Sequence, residues 1–230
     1  MDESILPIGF SEDGDYYVVE EFTGEYNGNG YTIKNLDINL PDESNVGLFA
    51  KNNGTITNLD LVDVNIVGQS TNTGGIASRN DSYGTIKQCS VTGSIDGAER
   101  TGGLVGVNAN FIENCYTKTS ITGTETVGGI VGINVSNADL SNVYSASSIT
   151  AASNFGGIVG ESYEYIETSY WNTDLGPDTT SNGGEGLTTE EMKQIDSYPF
   201  WDIGEVDTDE VDKSYTWNIN SGTSYPFLSH

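Results

Sequence analysis

The chain has 230 residues, of which 34 are acidic and 8 basic, so its formal net charge is −26. Such a strongly negative field disfavours binding to nucleic acid and to anionic lipid surfaces. Two cysteines are too few for a fold built on disulfides or for a structural zinc site, and no apolar stretch approaches the length of a membrane span.

The first region, residues 1–44, is predicted to be a lead-in and an incomplete first copy of the repeat that follows. Tyr16 to Val19 is predicted to be a strand, and Asn27-Gly28-Asn29-Gly30 is a strong turn signal. The start Met1-Asp2-Glu3 has neither the basic nor the apolar stretch of a signal peptide. We therefore expect either a domain of a larger secreted protein or a whole virion protein.

Residues 45–171 repeat one pattern five times. Apolar residues alternate with polar ones over short stretches bounded by Gly and Asn, which is typical of strands. A fixed period indicates a solenoid, because one unit cannot bury its apolar face until it stacks on the next. We predict an all-β parallel β-solenoid, or β-helix, of about five to six coils, each coil being one circuit of the chain. A glycine followed by two apolar residues recurs at intervals of 28, 28, 26 and 28 residues, at Gly47, Gly75, Gly103, Gly129 and Gly157.

Alignment of the repeats places equivalent residues in columns along the solenoid. One apolar column is predicted to point inward. A polar column, five residues after the glycine, is predicted to form turns with left-handed backbone and to stack its side-chain amides in hydrogen bonds. The apolar column is Ile56, Ile86, Ile112, Leu140 and Ile166, and the polar column is Asn52, Asn80, Asn108, Asn134 and Ser162.

The two cysteines fall in a second inward column, one coil apart. Stacked Cα atoms at about 5 Å would permit a disulfide between Cys89 and Cys115. The alternative, which we favour, is two buried thiols that act as small apolar side chains.

Residues 172–230 depart from the repeat. Residues 172–186 are predicted to be a loop. Thr188 with Glu191 matches a capping box before a short apolar face, which predicts a short α-helix over residues 187–195. Together with bulky aromatic residues further on, this region is predicted to cap the C-terminal end of the solenoid, because an exposed coil is an open sheet edge. All three regions are expected to form one structural domain.

Several stretches resemble the GLUG-repeat family of extracellular proteins. They are FTGEYNGNGYTIKNLDIN, NVGLFAKNNGTITNLDL, GGLVGVNANFIENCY, GGIVGINVS and the closing SYWNTDL. The resemblance covers nearly the whole chain. It implies a β-solenoid found in adhesins and surface proteins, including non-catalytic regions of large peptidases, and it supplies no catalytic site.

An aromatic strip is the candidate binding surface. Three tyrosines occupy the same position in successive coils, with further aromatic residues beside them, and such a strip could stack on sugar rings or dock a partner protein. The alternative is a ladder of tyrosines that stabilise each other across strands. The candidate binding residues are Tyr116, Tyr144, Tyr170, Tyr163, Tyr165 and Trp171.

The excess of carboxylates has two interpretations. An acidic, lysine-poor surface is typical of proteins that stay soluble in very high salt, which would place the chain in a haloarchaeon or its virus. Alternatively, carboxylates hold divalent cations. Asp207, Asp209 and Asp212 offer oxygen ligands at nearby positions and are the candidate calcium ligands, although the segment lacks the glycine and distal glutamate of an EF-hand loop. A second candidate pair, Asp37 and Asp60, is expected to stack in adjacent coils.

Catalysis is not predicted. Enzymes on parallel β-helices need clustered carboxylates with a basic residue nearby, whereas here the basic residues are thinly spread and the single histidine is His230. We predict a non-catalytic structural or attachment module, an adhesin, tail-fibre or decoration protein, on a halophilic cell surface or virion. Its expected partners are a surface glycan or protein, or sibling subunits in an oligomer. The alternative is a polysaccharide-degrading enzyme.

Overall fold

The computed structural model describes residues 5–13, 16–176, 182–208 and 210–230. The chain begins with an antiparallel hairpin and then winds through six coils. The hairpin and the first three coils contain β1 (Phe10–Asp13), β2 (Tyr16–Val19), β3 (Glu21–Phe22), β4 (Glu25–Asn27), β5 (Thr32–Lys34), β6 (Asp37–Asn39), β7 (Phe49–Asn52), β8 (Thr55–Gly68), β9 (Asn72–Gly74), β10 (Ala77–Asn80) and β11 (Thr85–Gly97).

The last three coils and the C-terminal segment continue in the same way. They contain β12 (Arg100–Gly102), β13 (Val105–Asn108), β14 (Phe111–Glu113), β15 (Tyr116–Thr122), β16 (Glu125–Gly128), β17 (Val131–Asn134), β18 (Asp139–Ser141), β19 (Tyr144–Ser145), β20 (Ser148–Thr150), β21 (Ser153–Gly156), β22 (Val159–Ser162), β23 (Tyr170–Asn172), β24 (Glu185–Leu187), β25 (Ile203–Glu205), β26 (Trp217–Ile219) and β27 (Phe227–Leu228).

Each complete coil contributes strands to three parallel sheets, so the predicted parallel β-solenoid is confirmed. One sheet stacks one strand from each coil, in the order β22-β17-β13-β10-β7-β3. A second stacks β21, β16, β12 and β9, and the third contains the long strands β8 and β11. The register keeps equivalent residues together, since Ile86 pairs with Ile56 on one side and Ile112 on the other.

The two predicted columns lie inside the solenoid. The apolar column from Ile56 to Ile166 is buried throughout. The asparagine column is also buried, and its amides donate along the axis as predicted. Its backbone is not left-handed, however. A left-handed corner recurs at a different column in five successive coils: Asn58, Gln88, Asn114, Asn142 and Thr168.

The repeated glycines allow close approach of neighbouring coils. A Cβ added to Gly103 would clash with the carbonyl oxygen of Gly129 in the next coil. A side chain at this position would therefore push the coils apart. Cys89 and Cys115 are buried free thiols, as favoured from the sequence.

The C-terminal segment differs from the prediction in two respects. The capping box forms, because the Thr188 amide donates to Glu191 Oε2 (2.8 Å) and the Glu191 amide donates to Thr188 Oγ1 (3.2 Å). It starts two short 3-10 helices, Glu191–Lys193 and Ile195–Ser197, and the described residues contain no α-helix. Pro199 lies two residues after the second helix and lacks the backbone donor that a longer helix would need.

The segment also lies along the side of the solenoid and does not only cover its end. Trp201 Nε1 donates to the carbonyl of Thr168 in the sixth coil (2.8 Å), and Trp217 Nε1 donates to Asn114 Oδ1 in the fourth coil (3.0 Å). At the chain end, His230 Nε2 lies 3.1 Å from Asp60 Oδ2 in the second coil. The segment therefore crosses the coils from the last towards the first.

Candidate functional site

The aromatic strip forms, but it is not exposed. Tyr144 pairs in register with Tyr116 and Tyr170, and the Tyr116 and Tyr144 rings stack at 5.0 Å. The exposed fraction is 0% for Tyr144, 5% for Tyr170 and 7% for Trp171, whose ring packs into the main core. The prediction of a solvent-facing strip is therefore wrong for these residues.

The C-terminal segment covers the strip. Trp217 lies 5.9 Å from the Tyr144 ring and 6.0 Å from the Tyr116 ring, and Trp201 lies 5.7 Å from the Tyr170 ring. The Tyr144 hydroxyl donates to the carbonyl of Pro226 (2.7 Å). Exposure of a column of large aromatic rings to water would cost free energy. The aromatic residues of the C-terminal segment bury the column and avoid that cost.

Burial changes the titration of these groups. Desolvation raises the pKa of Tyr144 well above its usual value and also raises the pKa of Tyr170. Lys118 lies over the Tyr116 and Tyr225 rings at 5.0 Å each, and burial lowers its pKa to about 8. The cluster is thus a packing interface whose hydroxyls stay protonated at neutral pH.

Two members of the predicted set do reach solvent. Tyr163 is 62% exposed and Tyr165 is 85% exposed. Tyr165 lines a shallow concavity opposite Phe200, which is 77% exposed. Tyr170 of the buried stack lines the same concavity as Tyr165. The role of Tyr163 and Tyr165 in binding remains a prediction.

Two of the three predicted calcium ligands, Asp207 and Asp212, lie in the described part of the chain. Asp209 lies outside the described residues. The Asp212 carboxylate accepts a hydrogen bond from the Ser214 amide (2.9 Å), which lowers its pKa and engages it in a turn. Asp207 and Asp212 line an open acidic concavity, and in the described part of the chain no group of three or more His, Cys, Asp or Glu side chains could hold a metal ion. Calcium stays an expectation.

The second carboxylate pair is also separated. Asp37 pairs with Asn65 and accepts a 2.6 Å hydrogen bond from its amide, whereas Asp60 pairs with Ser90. The expected stacking of Asp37 on Asp60 is therefore wrong, because the long strand β8 places them at different positions along a coil.

One constellation contains a serine, a carboxylate and a histidine. Ser90 Oγ donates to Asp60 Oδ1, and His230 Nε2 contacts Asp60 Oδ2 at 3.1 Å. In a nucleophilic triad the histidine must contact the serine to accept its proton. Here both groups contact the carboxylate, so the arrangement attaches the chain end and does not activate Ser90.

A groove near the N-terminal end of the solenoid was not predicted from the sequence. It spans the first three coils and has a volume of about 560 Å³. The sequence feature that could have indicated the groove is the spacing of the apolar column. The interval from Ile56 to Ile86 is 30 residues, whereas the other intervals in that column are 26 or 28. It is longer because the turn after Asn80 has two more residues than the turn after Asn52. The groove is lined by Glu21, Asn45, Lys51, Asn53, Asn72, Arg79, Asp81, Ser82 and Tyr83.

Hydrogen bonds hold the groove in shape. Arg79 Nη2 contacts Asp81 Oδ1 at 2.8 Å. Asn53 accepts from the Tyr83 amide (3.0 Å) and donates to Glu21 Oε2 (2.9 Å). One side chain therefore joins the wall of the first coil to the turn of the third, and that turn presents a Tyr83 ring that is 78% exposed.

The fold and this geometry define a β-solenoid with a polar groove near its N-terminal end. Residues 7–93, which include every residue of the groove, match the model of the M26 IgA1-specific metallo-endopeptidase N-terminal region. The chain is also 40% identical over 89 residues to halomucin of Haloquadratum walsbyi (strain DSM 16790 / HBSQ001). That match covers 38% of this chain and 1% of halomucin.

A solved structure shares the architecture across nearly the whole chain. The crystal structure of a putative immunoglobulin A1 protease from Bacteroides ovatus superposes with a TM-score of 0.69, covering 94% of this chain and 79% of that one. Sequence identity is 19%, so the similarity concerns the fold alone. No helix in the described residues is long and apolar enough to span a membrane.

Proposed function

We propose that this chain is a non-catalytic structural and attachment module of a secreted or surface protein of a halophilic cell. The observation that carries the proposal is a rigid parallel solenoid with 34 acidic and 8 basic residues. Stacked coils give an elongated surface with fixed spacing, and an acidic surface keeps a protein soluble where salt screens its self-repulsion.

The comparisons support this proposal in two ways. The similarity to halomucin favours a halophilic cell as the source and a cell over a virion. The matched peptidase region is named as an N-terminal region, which agrees with a module that accompanies other domains.

Retention on whole cells tests the proposal. The purified chain, labelled with a fluorophore, is mixed with halophilic cells in multimolar KCl, and the bound fraction is measured after washing. We expect saturable retention that an excess of unlabelled chain displaces. A heat-denatured sample controls for non-specific adhesion. Retention no greater than that control would contradict attachment, and release of reducing ends from polysaccharide would instead favour the enzyme.

A further inference from the structure

We propose that the groove beside Tyr83 is a binding site for neutral saccharides, an inference that rests on the proposed attachment function and names its ligand class. The groove is the concavity between Glu21 and Tyr83 described above. Its volume of about 560 Å³ falls in the range of small-ligand sites, about 300–1,000 Å³.

The groove offers a cationic donor without an ion pair and, beside it, carboxylate acceptors. Asn72 is 94% buried, since its exposed fraction is 6%, and its amide donates to Asn45 Oδ1 (2.9 Å). Its own Oδ1 has no hydrogen-bond partner within the described residues. The Lys51 ammonium, in register with Arg79, forms no ion pair in the described part of the chain. The Asn72 oxygen lies beneath the surface of the groove, where a ligand does not reach it, so the Lys51 ammonium and the Glu21 and Asp81 carboxylates are the groups that face a ligand.

The charge of the groove favours a neutral ligand. Glu21 and Asp81 oppose Lys51 and Arg79, so the formal charges cancel locally although the whole chain carries −26. The surrounding negative field repels polyanions. Hydroxyl groups, which donate and accept at once, match this mixture of amide, carboxylate and cationic groups better than a phosphate or a carboxylate would.

Tyr83 supplies the apolar contact that a sugar ring needs. Gly84 N donates to the Asp81 carbonyl (2.8 Å) and closes the turn, so the ring projects from a defined backbone at the rim. An aromatic side chain with a fixed backbone offers a flat face at low entropic cost. A protein partner would require a larger apolar centre, whereas every other side chain that lines this groove is polar.

Titration with neutral hexasaccharides tests the inference. Maltohexaose, cellohexaose and mannohexaose are added to the full isotope-labelled chain, with hexagalacturonate as the anionic comparison, and backbone amide shifts are followed by NMR. We expect at least one neutral sugar to bind, with shifts concentrated at residues 51–53 and 79–84. Tyr83→Ala should weaken that binding by about 5-fold, which corresponds to the loss of one aromatic contact.

Tyr31→Ala is the matched control. Tyr31 is 77% exposed and does not line the groove, so its removal should leave the affinity unchanged. Lys51→Met retains most of the side-chain stem and should weaken binding through loss of the ammonium donor. Binding of hexagalacturonate alone, binding of no sugar, or equal affinity of the Tyr83→Ala and Tyr31→Ala variants would each overturn the inference.

The two proposals fail separately. If the wild-type chain is retained on cells while Tyr83→Ala is retained equally and no hexasaccharide binds, the groove assignment falls and the attachment function stands. If a neutral hexasaccharide binds at Tyr83 but the chain is not retained on cells, the attachment function falls and the saccharide site stands.

Discussion

At the scale of single residues, the buried asparagines hold the coils in register. Asn52 donates to Asn80 (2.8 Å), Asn80 to Asn108 (2.9 Å) and Asn108 to Asn134 (2.8 Å). Each side-chain amide donates a hydrogen bond to the side-chain oxygen of the equivalent asparagine in the next coil. The buried amides therefore pair with one another along the solenoid. A slip by one residue would leave several buried amides unpaired, and the ladder therefore selects one alignment of the coils.

Removal of one amide should break this ladder. Asn108→Ala removes the donor to Asn134 Oδ1 and one of the acceptors of the Asn80 amide, and we expect the free energy of unfolding to fall by about 2–4 kcal/mol. Urea denaturation measures the change. Ser120→Ala, at an exposed position, is the control and should cost less than about 0.5 kcal/mol. Equal effects of the two variants would mean that the ladder does not stabilise the fold.

Lys118 makes stability depend on pH. Burial lowers its pKa in the folded chain to about 8, below the value of about 10.4 expected for an unfolded lysine. Between these values the unfolded chain binds more protons, so the free energy of unfolding should rise as pH increases from 8 to 10. The raised pKa values of Tyr144 and Tyr198 act in the opposite sense and should reduce stability above about pH 10.

Thermal or urea unfolding across this pH range checks the assignment. Lys118→Met keeps the apolar stem and removes the titrating group, so the rise between pH 8 and 10 should disappear while the loss at higher pH remains. Lys213→Met, at an exposed position, should leave the profile unchanged. A rise that persists in Lys118→Met would show that another group causes it.

At the scale of elements, the C-terminal segment acts as a strap across the coils. Trp217 is fully buried and lies 4.6 Å from Trp201, and the two indoles contact the tyrosines of neighbouring coils. The segment therefore links coils that otherwise contact only their immediate neighbours. Such a link should make unfolding more cooperative than in an open repeat array.

Truncation of the central indole should weaken the strap. Trp217→Ala removes a buried ring and its hydrogen bond to Asn114, and we expect a loss of about 3–5 kcal/mol in urea denaturation. Phe200→Ala is the matched aromatic control, because Phe200 is 77% exposed. Tryptophan fluorescence and near-ultraviolet circular dichroism report on the cluster. A Trp217→Ala chain as stable as Phe200→Ala would contradict a stabilising strap.

At the scale of the whole molecule, electrostatic repulsion adds to the conformational entropy that opposes folding. The chain carries 34 acidic groups, yet the described residues form few ion pairs, among them Arg79 with Asp81 and Lys87 with Glu113. Surface pairs of this kind contribute little. We therefore expect the stability of the folded state to depend on screening by dissolved ions.

Salt should stabilise the fold strongly. Because screening shortens the range of repulsion, we expect the melting temperature to rise by about 10 °C between dilute buffer and multimolar KCl. Differential scanning calorimetry measures this shift. Millimolar calcium chloride is the parallel arm: full recovery of stability by calcium, with no response to KCl, would replace the halophilic interpretation with a specific cation site. No response to either salt would remove both interpretations.

The amino-acid sequence by itself determined the solenoid and its inner columns. Residues one period apart, such as Ile56 and Ile86, become neighbours through stacking, so the period contains the information about their contact. The hydrogen bonds between the asparagine amides follow from the period in the same way. The column that adopts the left-handed conformation could not be assigned from the sequence. Several columns contain residues that tolerate that conformation, and only the backbone distinguishes Asn58 from Asn52.

Only the tertiary structure shows that the aromatic strip is buried and that the groove exists. Trp217 contacts Tyr116 and Tyr144 from a segment without a repeat, so no periodic signal could place it on that face. The groove joins Glu21, Asn53 and Tyr83 from three coils around a turn whose length breaks the period. The period of the repeat predicts contacts between equivalent positions in neighbouring coils. The contacts of the aromatic strip and of the groove join positions that are not equivalent, and these depend on how the folded surfaces pack against each other.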